Sequence, residues 1–129
     1  MSIIDGEFEY DFELPGRTPM LNEYTRWHWT KQRQLPKDLA WMILKAVGVD
    51  KKREPLEHCI IVITRYAHGN PASMDWDGLL GGCKGLLDAL TVRHPSGIGL
   101  IADDSTKCIL ACPSIIPVKI PKDKPERTK

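Results

Sequence analysis

The chain has 129 residues, 42% hydrophobic and 27% charged, with a formal net charge of +1. That size excludes separate cofactor and substrate domains and fits one domain, or one domain with a tail. No apolar run approaches the ~20 residues that span a bilayer, and the opening MSIIDGEFEY has neither a basic nor an apolar leader region, so no membrane association, no secretory signal and a cytoplasmic setting are expected.

The near-neutral total hides an uneven distribution. Residues 1–14 hold five acids and no base, residues 15–53 hold nine bases and three acids, and residues 54–129 hold nine of each. A basic stretch in a neutral protein points to a polyanion or, as plainly, to a solvated helix face. The four cysteines (Cys59, Cys83, Cys108 and Cys112) form no CxxC pair, and the histidines are not spaced to complete a zinc site. They are expected to be reduced, mostly buried thiols.

In chain order, Phe8, Tyr10, Phe12 and Leu14 alternate with acids from Glu7 to Glu13, which predicts a strand over 8–14 with one wet face. Pro15-Gly16 ends it. Residues 15–36 contain three prolines, two of the four tryptophans and no clean periodicity. They read as a long ordered loop, a type of segment that often carries function. Leu39, Met42, Ile43, Ala46 and Val47 predict a helix over 37–49, with Gly48 able to end it. The apolar, β-branched segment 56–66 reads as a buried central strand, broken by His68-Gly69-Asn70-Pro71. Leu79, Leu80, Cys83, Leu86, Leu87 and Leu90 form one stripe and predict a helix over 78–90. A turn over 91–99 follows. Residues 107–118 read as a last strand, at an edge or bulged because of Pro113 and Pro117. Residues 119–129 have one apolar non-proline residue and read as a basic, disordered tail after a domain of residues 1–118.

The chemistry centres on Asp75-Trp76-Asp77. In extended backbone, residues two apart face the same way, so both carboxylates project together ahead of a helix whose dipole favours negative charge. Two close carboxylates repel unless a cation lies between them, and Mg²⁺ suits oxygen ligands. The simpler alternative is that Asp77 caps the helix and Asp75 is a surface charge. Asp103-Asp104 is a second acidic pair at the expected start of the last strand, where only one of the two can face the first pair; the alternative is a solvated turn. On a continuous helix Asp77, Lys84 and Asp88 fall within about 40° of one another, so Lys84 can lean back toward the carboxylates or pair with Asp88 on the surface.

Gly78, Gly81, Gly82 and Gly85 make the same helix costly by propensity, at roughly 1 kcal/mol per interior glycine. Their rationale would be close backbone approach by another helix, a second subunit or a nucleic-acid strand. Finally, RWHWTKQR at 26–33 mixes bases with rings, a mixture suited to stacking bases and pairing phosphates. Trp27 and Trp29 alternate, so a strand-like segment would bury both on one side, and at least one is expected in the core.

The run MDWDGLLGGCKGLLDAL followed by GLIADDS resembles the RusA-type Holliday junction resolvases in their phage-borne form. The early strand, the proline-rich loop and LNEYTRWHW are similar to that family's N-terminal half. The likeness extends loosely over residues 8–118 and is specific over 74–105. It implies a homodimeric, Mg²⁺-dependent endonuclease that cuts four-way DNA junctions in the cytoplasm of a bacterial or phage-infected cell. Residue by residue, it matches the family's three essential carboxylates to Asp75, Asp77 and Asp104, the metal and catalytic residues, and its helix lysine to Lys84. The chain differs at Gly78, where the family usually has asparagine, and in HGNPASM, which lacks an arginine cluster. DNA contacts are then expected from Arg17, Arg26, Lys31, Arg33 and the tail.

On this reading the carboxylates hold one or two Mg²⁺ ions, a metal-activated water attacks the phosphodiester, and Lys84 stabilises the transition state or orients the nucleophile. A two-fold dimer supplies one site per strand. Competing readings are a catalytically decayed DNA-binding dimer, in which Gly78 marks the lost site, and a DxD-type phosphatase. The latter needs a strand that AHGNPAS cannot supply and a doubly wound core too large for this chain; a DxD glycosyltransferase fails on length too. The expected fold is a small single α+β domain, a mixed β-sheet packed with two main helices, homodimeric.

Overall fold

The computed structural model describes residues 1–6, 8–48, 54–92 and 94–129. The fold is a small single-domain α+β arrangement organised on β4 (Ile60–Ala67). Its β-branched residues suit a pleated surface. Alternate residues from Ile61 to Ala67 are buried, whereas Ile60 is exposed and Val62, Thr64 and Tyr66 are half-buried. One face of β4 therefore enters the core, in place of the expected burial on both. The strand begins later than expected, because Leu56 and Cys59 form only isolated bridges to Ile101 and Ile109.

Val62 pairs with both Ser2 and Ser114, and Arg65 with both Pro117 and Thr128. β1 (Ser2–Ile4) and β6 (Arg127–Thr128) thus share one edge of β4, and β5 (Ser114–Lys119) takes the other. β2 (Glu9–Asp11) adds to β1 and β3 (Leu14–Pro15) adds to β6, giving a curled sheet that is antiparallel except for the parallel β4–β5 pair. The sheet is mixed, as expected. Among the described strands β5 pairs only with β4, which puts Pro117 at an edge.

Three strand expectations are corrected. The segment 8–14 divides into β2 and β3, which have different partners, although Tyr10, Phe12 and Leu14 all stay buried; Glu7 lies outside the described residues. The segment 107–118 is irregular until Ser114. The tail over 119–129 is not disordered: β6 pairs with β3 and β4, Thr128 is buried, and its Oγ1 donates to the Gly16 carbonyl at 2.9 Å. A strand with partners on both sides satisfies its backbone groups without apolar side chains, which composition alone does not register.

The helices also differ from expectation. The segment 15–36 is not a loop; it supplies α1 (Leu21–Arg26) and the first turns of α2 (Trp29–Val47). His28 caps α2 by accepting from the Thr30 N–H at 3.3 Å. Pro36 lies inside α2 and lacks the N–H for a helical bond. It is tolerated because Pro36, Ala40, Ile43 and Val47 form the buried stripe, rotated from the expected one; Met42 and Ala46 are exposed. The predicted end at Val49 falls outside the described residues.

The predicted helix over 78–90 is two helices, α3 (Trp76–Gly81) and α4 (Lys84–Leu90), so α2 is the one long helix among the described residues. The leucine stripe survives the break: Leu79, Cys83, Leu86 and Leu90 are all buried. No helix among the described residues is long and apolar enough to cross a membrane.

The glycines explain how these helices are covered. A Cβ at Gly82 would lie 1.6 Å from the Pro19 carbonyl oxygen, one at Gly81 2.9 Å from Leu21 Cδ2, and one at Gly85 2.7 Å from Leu35 Cδ2. The close approach inferred from sequence is made by the chain's own 19–35 segment, so this helix face gives no ground for a second subunit. Gly82→Ala should destabilise the fold by about 3 kcal/mol, because backbone must move. Gly85→Ala should be near neutral, since the displaced atom ends a flexible side chain and alanine gains roughly 1 kcal/mol in helix propensity. Chemical denaturation of the two variants checks the contrast.

Candidate functional site

Asp75 is the N-cap of α3, with its Oδ1 accepting from the Gly78 N–H at 2.7 Å. Asp77 sits in the first helical turn. The pair is therefore placed by a helix start, not by strand alternation, and the capping role belongs to Asp75 and not Asp77. Both carboxylates are exposed and line a cavity of about 410 Å³ together with Met20, Leu21 and Asn22 from the start of α1. The donors suit a hard divalent cation: among the described residues Asp75 Oδ2 and both Asp77 oxygens take no protein hydrogen bond, which leaves them for an ion that retains several waters and takes few carboxylates.

The structure does not gather the other acidic residues there. Asp104 is exposed in an irregular segment ahead of β5, with its N–H donating to Asp103 Oδ1 at 2.9 Å. It does not open a strand. Among the described residues, no three His, Cys, Asp or Glu side chains lie close enough to hold a metal ion. Lys84 does not lean toward Asp77. The break at Gly82–Cys83 puts the two on different helices, and the Lys84 ammonium instead pairs with Asp88 at 3.5 Å. A continuous-helix wheel cannot register that break.

The segment 26–33 forms a helix junction with rings outward. Trp27 is half-buried and Trp29 is 58% exposed, so neither is core. The Lys31 ammonium lies 4.0 Å from the Trp27 ring centroid, and the Arg33 guanidinium 5.4 Å from that of Trp29. Arg26, Lys31 and Arg33 are exposed on this face. Arg17 is engaged elsewhere. It donates to both Glu23 carboxylate oxygens at 2.8 Å, and its Nε lies 3.5 Å from Glu126. The Arg17–Glu23 hydrogen bonds raise the Arg17 pKa and hold Glu23 below its usual range. Glu23 also accepts from the Met20 N–H at 3.1 Å, fixing the start of α1.

Sequence reasoning missed Arg65, a guanidinium buried on β4 that donates from Nε to the Thr18 carbonyl at 2.9 Å. Burial, and then repulsion by Arg17, lowers its pKa. Its signal was a lone arginine inside IIVITRYA. The cysteines are free, and all but Cys112 are buried. Burial pushes Cys59 up to about 12 and Cys83 up to about 11, which leaves them poor nucleophiles. No family model, curated protein or solved structure matches the chain.

Glu23→Gln should cost about 1 kcal/mol at neutral pH. Because the folded carboxyl has a lowered pKa, its contribution is present above the usual 4.5 and fades as acid protonates it. The gap between wild type and variant should therefore close below that pH in parallel urea titrations.

Proposed function

We propose that the chain is a DNA-binding endonuclease of the RusA type, acting with Mg²⁺ on branched DNA. The observation that carries this reading is adjacency. α1 packs on α3, so the helix that leads into the ring-and-cation face also lines the cavity that holds Asp75 and Asp77. A strand whose phosphates contact Arg26, Lys31 and Arg33 is thereby led toward two carboxylates. Asp75 and Asp77 would hold Mg²⁺, which when bound supplies a water of lowered pKa and neutralises charge on a phosphate. Asp75 is pre-set for this task by its cap hydrogen bond, which fixes the side chain at no cost at the moment of binding.

A homodimer remains part of the proposal, because a four-way junction presents two equivalent strands. A second reading, a DNA-binding dimer without cleavage, is favoured by the missing third carboxylate among the described residues. Both place the protein on DNA in the cytoplasm, and neither gives Lys84 a role beyond its pair with Asp88.

Cleavage of a labelled four-way junction against linear duplex, with Mg²⁺ and with chelator, decides between them. The nuclease reading expects junction-selective cutting that falls about 100-fold in Asp75→Asn and Asp77→Asn, with binding kept or improved as phosphate repulsion drops. Asp104→Asn measures whether a third carboxylate joins on DNA. Wild-type cleavage by Asp75→Asn and Asp77→Asn would sink the assignment.

Replacing Arg26, Lys31 and Arg33 together by alanine should weaken binding to every junction sequence alike. The slope of log affinity against log salt should also flatten by ~0.9 per lost phosphate contact. Unchanged affinity and slope would make the face a solvated surface.

A further inference from the structure

Beside the ring-and-cation face lies a groove between the early turns of α2 and the turn around His94. It has a volume of about 400 Å³, and Tyr24, Arg33, Lys37, Asp88 and His94 are among its lining residues. That volume is near the lower end for small-ligand sites, the scale of one nucleotide and far below a double helix. Its one acid is answered from within the protein: Asp88 lies 3.5 Å from the Lys84 ammonium and 3.9 Å from His94 Nε2, while His94 Nδ1 accepts from the Ser96 N–H at 3.1 Å. Arg33 and Lys37 are exposed, and among the described residues neither is in an ion pair with an acid. The groove is thus left with surplus positive charge. Arg33 belongs to two features at once, lining the groove and lying against the Trp29 ring, more than half of which is open to solvent.

We propose that this groove seats one unpaired nucleotide of a single strand, its phosphate against Arg33 and Lys37 and a neighbouring base stacked on Trp29. Duplex hides the faces of its bases, whereas a single strand offers a ring face and a phosphate together. The inference rests on the polyanion reading of the same surface but not on cleavage. Single-stranded DNA and RNA present the same phosphate and ring chemistry.

The test is fluorescence anisotropy of the full chain in chelator, with short oligothymidylate, short oligouridylate and blunt duplex of equal length. Both single strands should bind more tightly than duplex, and the tighter of the two names the source. Arg33→Ala with Lys37→Ala should lower single-strand affinity about tenfold or more and flatten its salt slope by ~0.7 per lost phosphate. Trp29→Leu should cost about tenfold and remove most of the quenching of tryptophan emission that oligothymidylate produces in wild type. Lys45→Ala, exposed on α2 outside the groove, should change nothing. Duplex binding as tightly as single strands, or unchanged single-strand affinity in the Arg33/Lys37 variant, overturns the proposal. Since wild type alone gives the strand preference and the quenching, misfolding of a variant leaves the question decidable. The chelator separates this outcome from the nuclease reading, whose readout needs Mg²⁺.

Discussion

The contact between the Pro19 carbonyl and Gly82 is the constraint on which the rest of the molecule depends. Side-chain-free backbone at Gly82, flanked by Gly81 and Gly85, lets the 19–35 segment lie directly on α3 and α4. The glycines interrupt what would otherwise be a continuous helix and weaken its propensity. In return the 19–35 segment approaches these helices closely. Tight packing of this kind contributes dispersion energy that separated helices cannot recover.

From that contact the placement of the candidate site follows. With Pro19 fixed, Met20 and Leu21 begin α1 beside Asp75, and α1 delivers Trp27 and Trp29 to the start of α2. The Arg17–Glu23 pair and the Glu126 carboxylate lock the entrance of α1 to the C-terminal strand. Acidic rim and basic face are thus both joined to α1 although 40 or more residues separate them in sequence. On the proposed reading, the basic region binds a polyanion and the acidic rim receives it.

Part of the secondary structure is legible in the sequence. β4 announces itself through IIVI, and of the six stripe residues Leu79, Cys83, Leu86 and Leu90 are buried while Leu80 and Leu87 are half-buried. The glycine run correctly signals close backbone approach. The failures have shared causes. Pro19 and Pro36 suggested loop over 15–36, but Pro19 precedes a helix and Pro36 is held in one by a buried stripe. The segment 119–129 lacked apolar residues, but backbone pairing on two sides needs none. The wheel that joined Lys84 to Asp77 assumed an unbroken helix, whereas the chain breaks at Gly82–Cys83.

The sequence by itself determined which residues are apolar and at what period, hence the central strand, the leucine stripe and the acidic and basic stretches. These are local properties, readable because side-chain direction repeats every two or 3.6 residues. Only the tertiary structure decided what covers the glycine face, that Lys84 pairs with Asp88, and that Asp75 and Asp77 share a rim with α1 with no third ligand grouped beside them among the described residues. Those outcomes depend on contacts between segments far apart in the chain, where the nearest competing charge or the approach of one carbonyl oxygen selects among arrangements that local pattern leaves equal.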